Sequence, residues 1–358
     1  MLELNGLSSG AGSFTIHPVS LKVEQGESHV ILGPTGSGKT LLLETILGLR
    51  HIDAGRIELA GVDITSEPVE KRGIGYVPQD LALFPHLNVL DNILYGSRIR
   101  NGEDIQQDQF INELTQAVRI EHLLERMPDK LSGGERQRVA LVRAIASGCK
   151  VLLLDEPFSS VNESLRKDLW LMIKALQKRF GLTLLLITHD LEEAFFLSDT
   201  MSIFINGRMQ QSSAKRDVYQ QPATRDVARF FGIKNLYKGV LEHGVVTVAE
   251  LGMELAIDST LYQAIAGRKV MVGIRANEVM ILRDDADPTR WENTVSGQVR
   301  AILDKGAAYT VLFTPDTAPH ATIEIELNSH AYRRLNINEG KKLSVSLKKE
   351  NLFLIADQ

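Results

Sequence analysis

The sequence predicts an α/β domain on a mostly parallel sheet with a helical subdomain, followed by a small all-β, OB-like barrel accessory domain. Three observations predict it. A glycine-rich loop, Gly33-Pro34-Thr35-Gly36-Ser37-Gly38-Lys39-Thr40, stands between an apolar run and a helical one. Two later apolar runs, Val151–Leu154 and Thr183–Ile187, end in polar sets, the pattern of strands buried on both faces. After about residue 235 the pattern turns to short alternating strands separated by turn signals.

The elements follow in order. Val30-Ile31-Leu32 reads as a buried strand, and Leu41 to Gly48 as the helix after the loop. The loop fits G-x-x-x-x-G-K-[ST]. Its glycines let backbone N–H groups wrap a diphosphate, Lys39 reaches the β/γ-phosphates, and the Thr40 hydroxyl sits on Mg²⁺. Between Gln79 and Ser132 the chain is helix-rich: Asp91 to Tyr95, then Phe110, Leu114, Val118 and Leu123 at roughly helical spacing. Leu131-Ser132-Gly133-Gly134-Glu135-Arg136-Gln137 sets a Ser and two glycines ahead of a helical run, so that a helix N-terminus can point at an anion. Gly148 suits the C′ position of that helix, and Cys149 reads as a small buried hydrophobe. Asp155 closes the Val151 strand, where a carboxylate can hold Mg²⁺ through water. Glu156 is one residue on and points another way. Thr188-His189-Asp190 closes the next strand, and Glu192 to Leu197 reads as a helix.

A chain carrying both the phosphate loop and the Leu131–Gln137 string resembles the ATP-binding cassette ATPases, a P-loop family. In that family a helical subdomain stands in the helix-rich stretch, and the resemblance implies one over about 85–145. The resemblance implies two copies facing each other, with each γ-phosphate between one copy's loop and the other copy's signature residues Ser132, Gly133 and Gly134. It implies ATP as ligand, bound by Gly33, Pro34, Thr35, Gly36, Ser37, Gly38, Lys39 and Thr40, with the Phe14 ring stacked on adenine. Phe14 also fits a core place in an N-terminal antiparallel strand. The resemblance implies Mg²⁺ held by Thr40, Gln79 and Asp155, Glu156 polarising the attacking water, and His189 as the switch histidine at the γ-phosphate. Asn162 departs from the family's usual Asp in a loop that crosses the dimer interface, so cooperativity between the sites is the property affected.

The segment Leu81-Ala82-Leu83-Phe84-Pro85-His86-Leu87 is similar to the importer pattern, where it meets the membrane subunit. The implied partners are a second copy of the chain, membrane-spanning permease subunits and, indirectly, an extracytoplasmic solute-binding protein. The implied location is the cytoplasmic face of the membrane. Arg72 to Asp80 and the Gly33-Pro34-Thr35 opening look most like molybdate/tungstate importers. Sulfate, iron and polyamine importers share much of the pattern.

Composition agrees. Hydrophobic residues make up 44% of the 358, yet no apolar run approaches the ~20 residues that span a membrane. Met1-Leu2-Glu3-Leu4-Asn5 lacks the regions of a signal peptide, so a cytosolic chain is expected. A net charge of −5 argues against a nucleic-acid footprint. One cysteine gives neither a disulfide framework nor a cysteine metal site. A soluble chromosome or repair ATPase of the same superfamily would carry long heptads or Cys pairs between loop and signature, and this interval has neither. A two-cassette translation ATPase would need a second phosphate loop.

The expected division is an ATPase domain over 1–232 and a β-rich accessory domain over 235–358. Within the latter, Gly267 to Arg275 aligns with Gly340 to Lys348, each followed by a second apolar stretch, Val279 to Leu282 and Leu352 to Ile355. This predicts two small barrel-like repeats. They resemble accessory domains that in such importers sense an oxyanion. Lys341, Lys342, Lys348 and Lys349 fit a solvated strand edge better than an anion site.

Overall fold

The computed structural model describes residues 1–101, 105–159, 161–258, 269–283, 287 and 290–356. Ser160, before Asn162, and Gly267 and Arg268, at the head of the first repeat, lie outside the described residues. The chain forms two compact units, Met1–Val218 and Tyr219–Gln358.

The first unit runs β1 (Leu2–Ala11), β2 (Phe14–Val23), β3 (Ser28–Leu32), α1 (Lys39–Leu47), β4 (Ala54–Leu59), β5 (Val62–Asp63), β6 (Ile74–Val77), α2 (Val89–Asn101), α3 (Ile105–Val118), α4 (Gly133–Ala146), β7 (Val151–Asp155), α5 (Glu163–Phe180), β8 (Thr183–Thr188), α6 (Leu191–Leu197), β9 (Thr200–Ile205) and β10 (Arg208–Ala214). An antiparallel sheet orders β2-β1-β4-β5, and a six-stranded sheet orders β10-β9-β3-β8-β7-β6. In the larger sheet every pairing except β9 with β10 is parallel. Strands β3, β7 and β8 are buried at every position, which is why they read as unbroken apolar runs. Because these strands run the same way, the turns after β3, β6, β7 and β8 all open on one edge. That edge is where open parallel sheets bind ligands.

Helix α1 ends at Gly48, which takes the left-handed conformation of a C-cap. Buried Arg72 lies across that end, donating to the carbonyls of Ile46 at 2.7 Å, Thr65 at 2.8 Å and Glu67 at 2.9 Å. A side chain at position 48 would meet that guanidinium at 2.7 Å. Helices α2, α3 and α4 form the helical subdomain, with Leu114, Val118 and Leu123 buried. Phe110 stays partly exposed, its ring edge-on to Phe180 at 5.6 Å. After α4, Gly148 has φ 74°, and buried Cys149 donates its thiol to the Ala144 carbonyl at 3.4 Å.

Helix α7 (Lys215–Gln220) leads into the second unit, followed by α8 (Arg225–Phe230). Then come β11 (Leu236–Glu242), β12 (Val245–Val248), β13 (Met253–Ala256), β14 (Lys269–Gly273), β15 (Met280–Ile281), β16 (Thr294–Asp304), β17 (Ala308–Pro315), β18 (Ile323–Asn328), α9 (Ser329–Leu335), β19 (Lys342–Ser346) and β20 (Phe353–Ala356). Two five-stranded sheets, β13-β12-β11-β14-β20 and β15-β19-β16-β17-β18, make an OB-like, barrel-like β domain. The sequence repeat is a strand, a 3₁₀ turn and a strand: β14 to β15, then β19 to β20. Each copy sends one strand into each sheet, so β14 pairs with β20 and β15 with β19. The expectation of two barrel-like repeats takes this exchanged form, with one core holding Val270, Val272, Phe313, Val345 and Leu347 together. A single copy is too short to bury a core of its own. The sequence expectation put the division near 235, whereas the contacts put it before α8, because Ala228 on α8 packs with Ile233, Met271, Phe353 and Ile355.

Candidate nucleotide site

A cavity of about 400 Å³ opens at the C-terminal edge of the large sheet. Phe14, Thr35, Gly36, Gly38, Lys39, Thr40, Gln79 and Glu156 line it, so residues from four separate strand ends meet there. Gly38 (φ 96°) precedes α1, with no side chain capping its first N–H groups. Those groups are therefore available to an anion. The Phe14 ring packs over Gly38: a Cβ there would lie 2.5 Å from it. Phe14 opens β2, packs partly buried against the core and walls the cavity.

Lys39 is buried, its ammonium donating to the carbonyls of Gly33 at 2.8 Å and Pro34 at 2.9 Å. Burial pushes its pKa down, and Glu156 and Asp155 oppose that shift. The buried Ser37 hydroxyl has no hydrogen-bond partner among the described residues. Thr40 donates its hydroxyl to Asp155 at 3.3 Å. Burial raises the Asp155 carboxyl, and the Thr40 hydrogen bond works against that rise.

Glu156 has φ 43°, a conformation that costs a bulky residue roughly 1–3 kcal/mol. Its backbone N–H is tied to the Ile187 carbonyl on β8 at 3.0 Å. This turns the side chain out of line with Asp155 and sets its carboxylate 3.2 Å from His189 Nδ1. Behind them, Asp190 caps α6 by accepting from the Glu193 N–H at 3.1 Å, and Arg166 pairs with Asp190 at 3.1 Å.

Ser132, Gly133 and Gly134 do not line this cavity. Ser132 is the N-cap of α4. Its hydroxyl accepts from the Glu135 N–H at 3.3 Å, and its own N–H donates to the Glu135 carboxylate at 2.7 Å. The two glycines lie inside the first turn rather than ahead of the helix, because the capping box starts the helix at Gly133. Asn162 caps α5, accepting from the Ser164 N–H at 3.3 Å. Asn caps as well as Asp, so the missing charge costs this turn nothing. Pro34 does not line the cavity and enters the site only through its carbonyl, which accepts from Lys39.

Sequence reading missed Glu44 and Arg50, which also line the cavity and pair at 2.8 Å. The available signal was Gly48, whose left-handed turn brings the chain after α1 back toward its helix. Three of the four C-terminal lysines have separate partners: Lys341 donates to the Leu335 carbonyl at 2.8 Å, Lys349 pairs with Glu292 at 2.8 Å, and Lys348 pairs with Glu350 at 3.6 Å.

Lys39 faces two carboxylates, Asp155 and Glu156. A triphosphate placed on the loop would add negative charge beside both. The hydroxyl–carboxylate pair of Thr40 and Asp155 is an oxygen donor set of the kind that accepts a small hard divalent cation bound with phosphates. The site's residues therefore fit a nucleotide together with Mg²⁺.

The comparisons with known proteins agree with this geometry. The family described as ABC transporter matches residues 16–159. The molybdate/tungstate import ATP-binding protein WtpC of Thermococcus kodakarensis is 39% identical over 305 residues, 85% of this chain and 90% of that protein. The sulfate/thiosulfate import ATP-binding protein CysA of Xanthomonas campestris is 36% identical over 357 residues, 98% of this chain and 99% of that one. A solved ATP-binding cassette of an ABC transporter, in its ADP conformation, superposes with a TM-score of 0.55 at 26% identity, covering 64% of this chain and 98% of its own. The chain belongs to the ABC transporter family, among its import ATP-binding proteins, which are ATPases.

Proposed function

We propose that the chain is the ATP-hydrolysing subunit of an importer that takes up a tetrahedral oxyanion, molybdate or tungstate. Two observations support this: the Glu156–His189 pair beside the phosphate loop, and relatives that import such ions. Two copies close on ATP, each presenting Ser132, Gly133 and Gly134 to the other's γ-phosphate. Glu156 accepts a hydrogen bond from the attacking water and orients it for in-line displacement. His189 holds that carboxylate and contacts the γ-phosphate. Lys39 and the loop N–H groups stabilise charge on the phosphates. Thr40, Asp155 and Gln79 would hold Mg²⁺, which, when bound, neutralises phosphate charge. Phe14 stacks on the base.

Among the described residues no helix is long and apolar enough to cross a membrane. In this reading the subunit meets the membrane through permease partners, at the cytoplasmic face. A sulfate importer is the second reading, because the sulfate relative matches almost the whole chain. The test is ATP hydrolysis by the complex reconstituted with permease and solute-binding protein. Stimulation by molybdate or tungstate at concentrations where sulfate is silent is the expected result. Stimulation by sulfate alone assigns the second reading.

A further inference from the structure

The segment after Gln79 holds two consecutive non-glycine residues in the left-handed conformation, Leu81 (φ 65°) and Ala82 (φ 41°). Such residues persist only where contacts over-determine them. Here one side chain turns both carbonyls inward. Arg143 donates from one guanidinium nitrogen to the Leu81 carbonyl at 2.7 Å and from the other to the Ala82 carbonyl at 2.5 Å. Its guanidinium carbon also lies 5.5 Å from the centre of the Phe84 ring. A planar fork matches two adjacent carbonyls, whereas a lysine ammonium does not.

The other end of the loop is held in the same manner. Asn92, fully buried on α2, accepts from the Phe84 N–H at 2.9 Å and donates to the carbonyls of Leu87 at 2.9 Å and Asn88 at 3.0 Å. Both anchors stand on the helical subdomain, although the loop leaves from β6 of the large sheet. Arg143 sits on α4, the helix that Ser132 caps, roughly 16 Å along its axis from that serine at 1.5 Å per residue.

We propose that Arg143 is a positioning residue that fastens the Leu81–Asn88 loop to the signature helix, so that loop and helix move as one body when ATP engages Ser132. The proposal rests on the importer reading, in which this loop faces the permease. It assigns the link between the loop and the signature helix itself to one guanidinium, with Asn92 tying the loop's other end to α2.

Two spin labels test it without a permease. His86 and Glu125 are exposed, one on the loop and one on the helical subdomain, and Cys149 is buried. In the full chain, with cysteines at 86 and 125 and Glu156→Gln to hold ATP, the label distance is expected to stay narrow and unchanged between ATP-free and ATP-bound states. Arg143→Lys is expected to broaden it and separate the two states. A distance that shifts on ATP with Arg143 in place, or a narrow unchanged peak in Arg143→Lys, overturns the proposal.

In the reconstituted complex, Arg143→Lys should lower molybdate uptake per ATP hydrolysed by about tenfold, an ordinary coupling between sites, with ATP affinity unchanged. Uptake and hydrolysis falling by the same factor would make Arg143 a merely structural residue. Absence of molybdate uptake with Arg143 in place counts against the solute reading alone, since the label distances stand apart from it.

Discussion

At the scale of single residues, the strained backbone of Glu156 and its 3.2 Å contact with His189 support the water-orienting role we propose for it. Glu156→Gln keeps the shape and loses the base. ATP binding should persist, turnover should fall about 10²- to 10⁴-fold, and the closed dimer should accumulate on gel filtration with ATP. Turnover at the parent rate would remove Glu156 from that role. Glu193 is a different case. It is buried beside Asp190 and Glu156, and burial pushes its carboxyl up to about 8. A carboxyl raised in the folded state binds more protons folded than unfolded between the ordinary Glu value and about 8. Its contribution to stability is therefore lost as pH rises through that window. Glu193→Gln removes the penalty, so it should raise the melting temperature by about 2–6 °C at pH 8 and leave it unchanged near pH 4. Equal melting shifts at both values would show that the carboxyl does not titrate there.

At the scale of elements, helix α4 would carry both proposed functions on one rod. Its N-terminus is built by the Ser132–Glu135 capping box, and hydrogen bonding from the Ser132 N–H holds the Glu135 carboxyl below the usual carboxylate range. Ser132→Arg removes the cap, worth about 0.5–2 kcal/mol, and, in the proposed dimer, sets a bulky cation where the facing copy's γ-phosphate would lie. Nucleotide should still bind the untouched loop, while turnover should fail. Glu135→Ala separates the two effects, because it breaks the box and leaves the serine in place. It should lower the melting temperature similarly and keep most of the turnover. If Glu135→Ala abolished turnover as fully as Ser132→Arg, the loss would belong to the cap and not to a shared site.

At the scale of the whole molecule, the catalytic candidates all lie in the first compact unit, Met1–Val218. We expect the second unit to regulate hydrolysis rather than perform it. A truncation ending at Gln220, after α7, should keep basal ATPase activity and lose any inhibition by molybdate or tungstate. One ending at Gly232 also retains α8, without the Met271, Phe353 and Ile355 surface that Ala228 packs on. It should be less soluble, since bared apolar faces associate. Equal inhibition of the full chain and the Gln220 truncation would place the inhibitory site in the first unit.

Local sequence determined much of this protein, because the chemistry of a phosphate loop is short in range. Gly33 to Thr40, the apolar runs ending at Asp155 and Thr188, and the capping pattern Ser132-x-x-Glu135 each encode their own strand end, turn or helix start. The alternation after residue 235 likewise encoded a β domain. Tertiary structure decided what lies far apart in the chain. Parallel pairing of β3, β8, β7 and β6 brings Lys39, His189, Glu156 and Gln79 to one edge, and no spacing between them states that order. Strand exchange turned two visible repeats into a single core, since neither copy buries enough surface alone. The division before α8 and the grip of Arg143 on two strained carbonyls rest on contacts between distant segments, where packing outweighs local propensity.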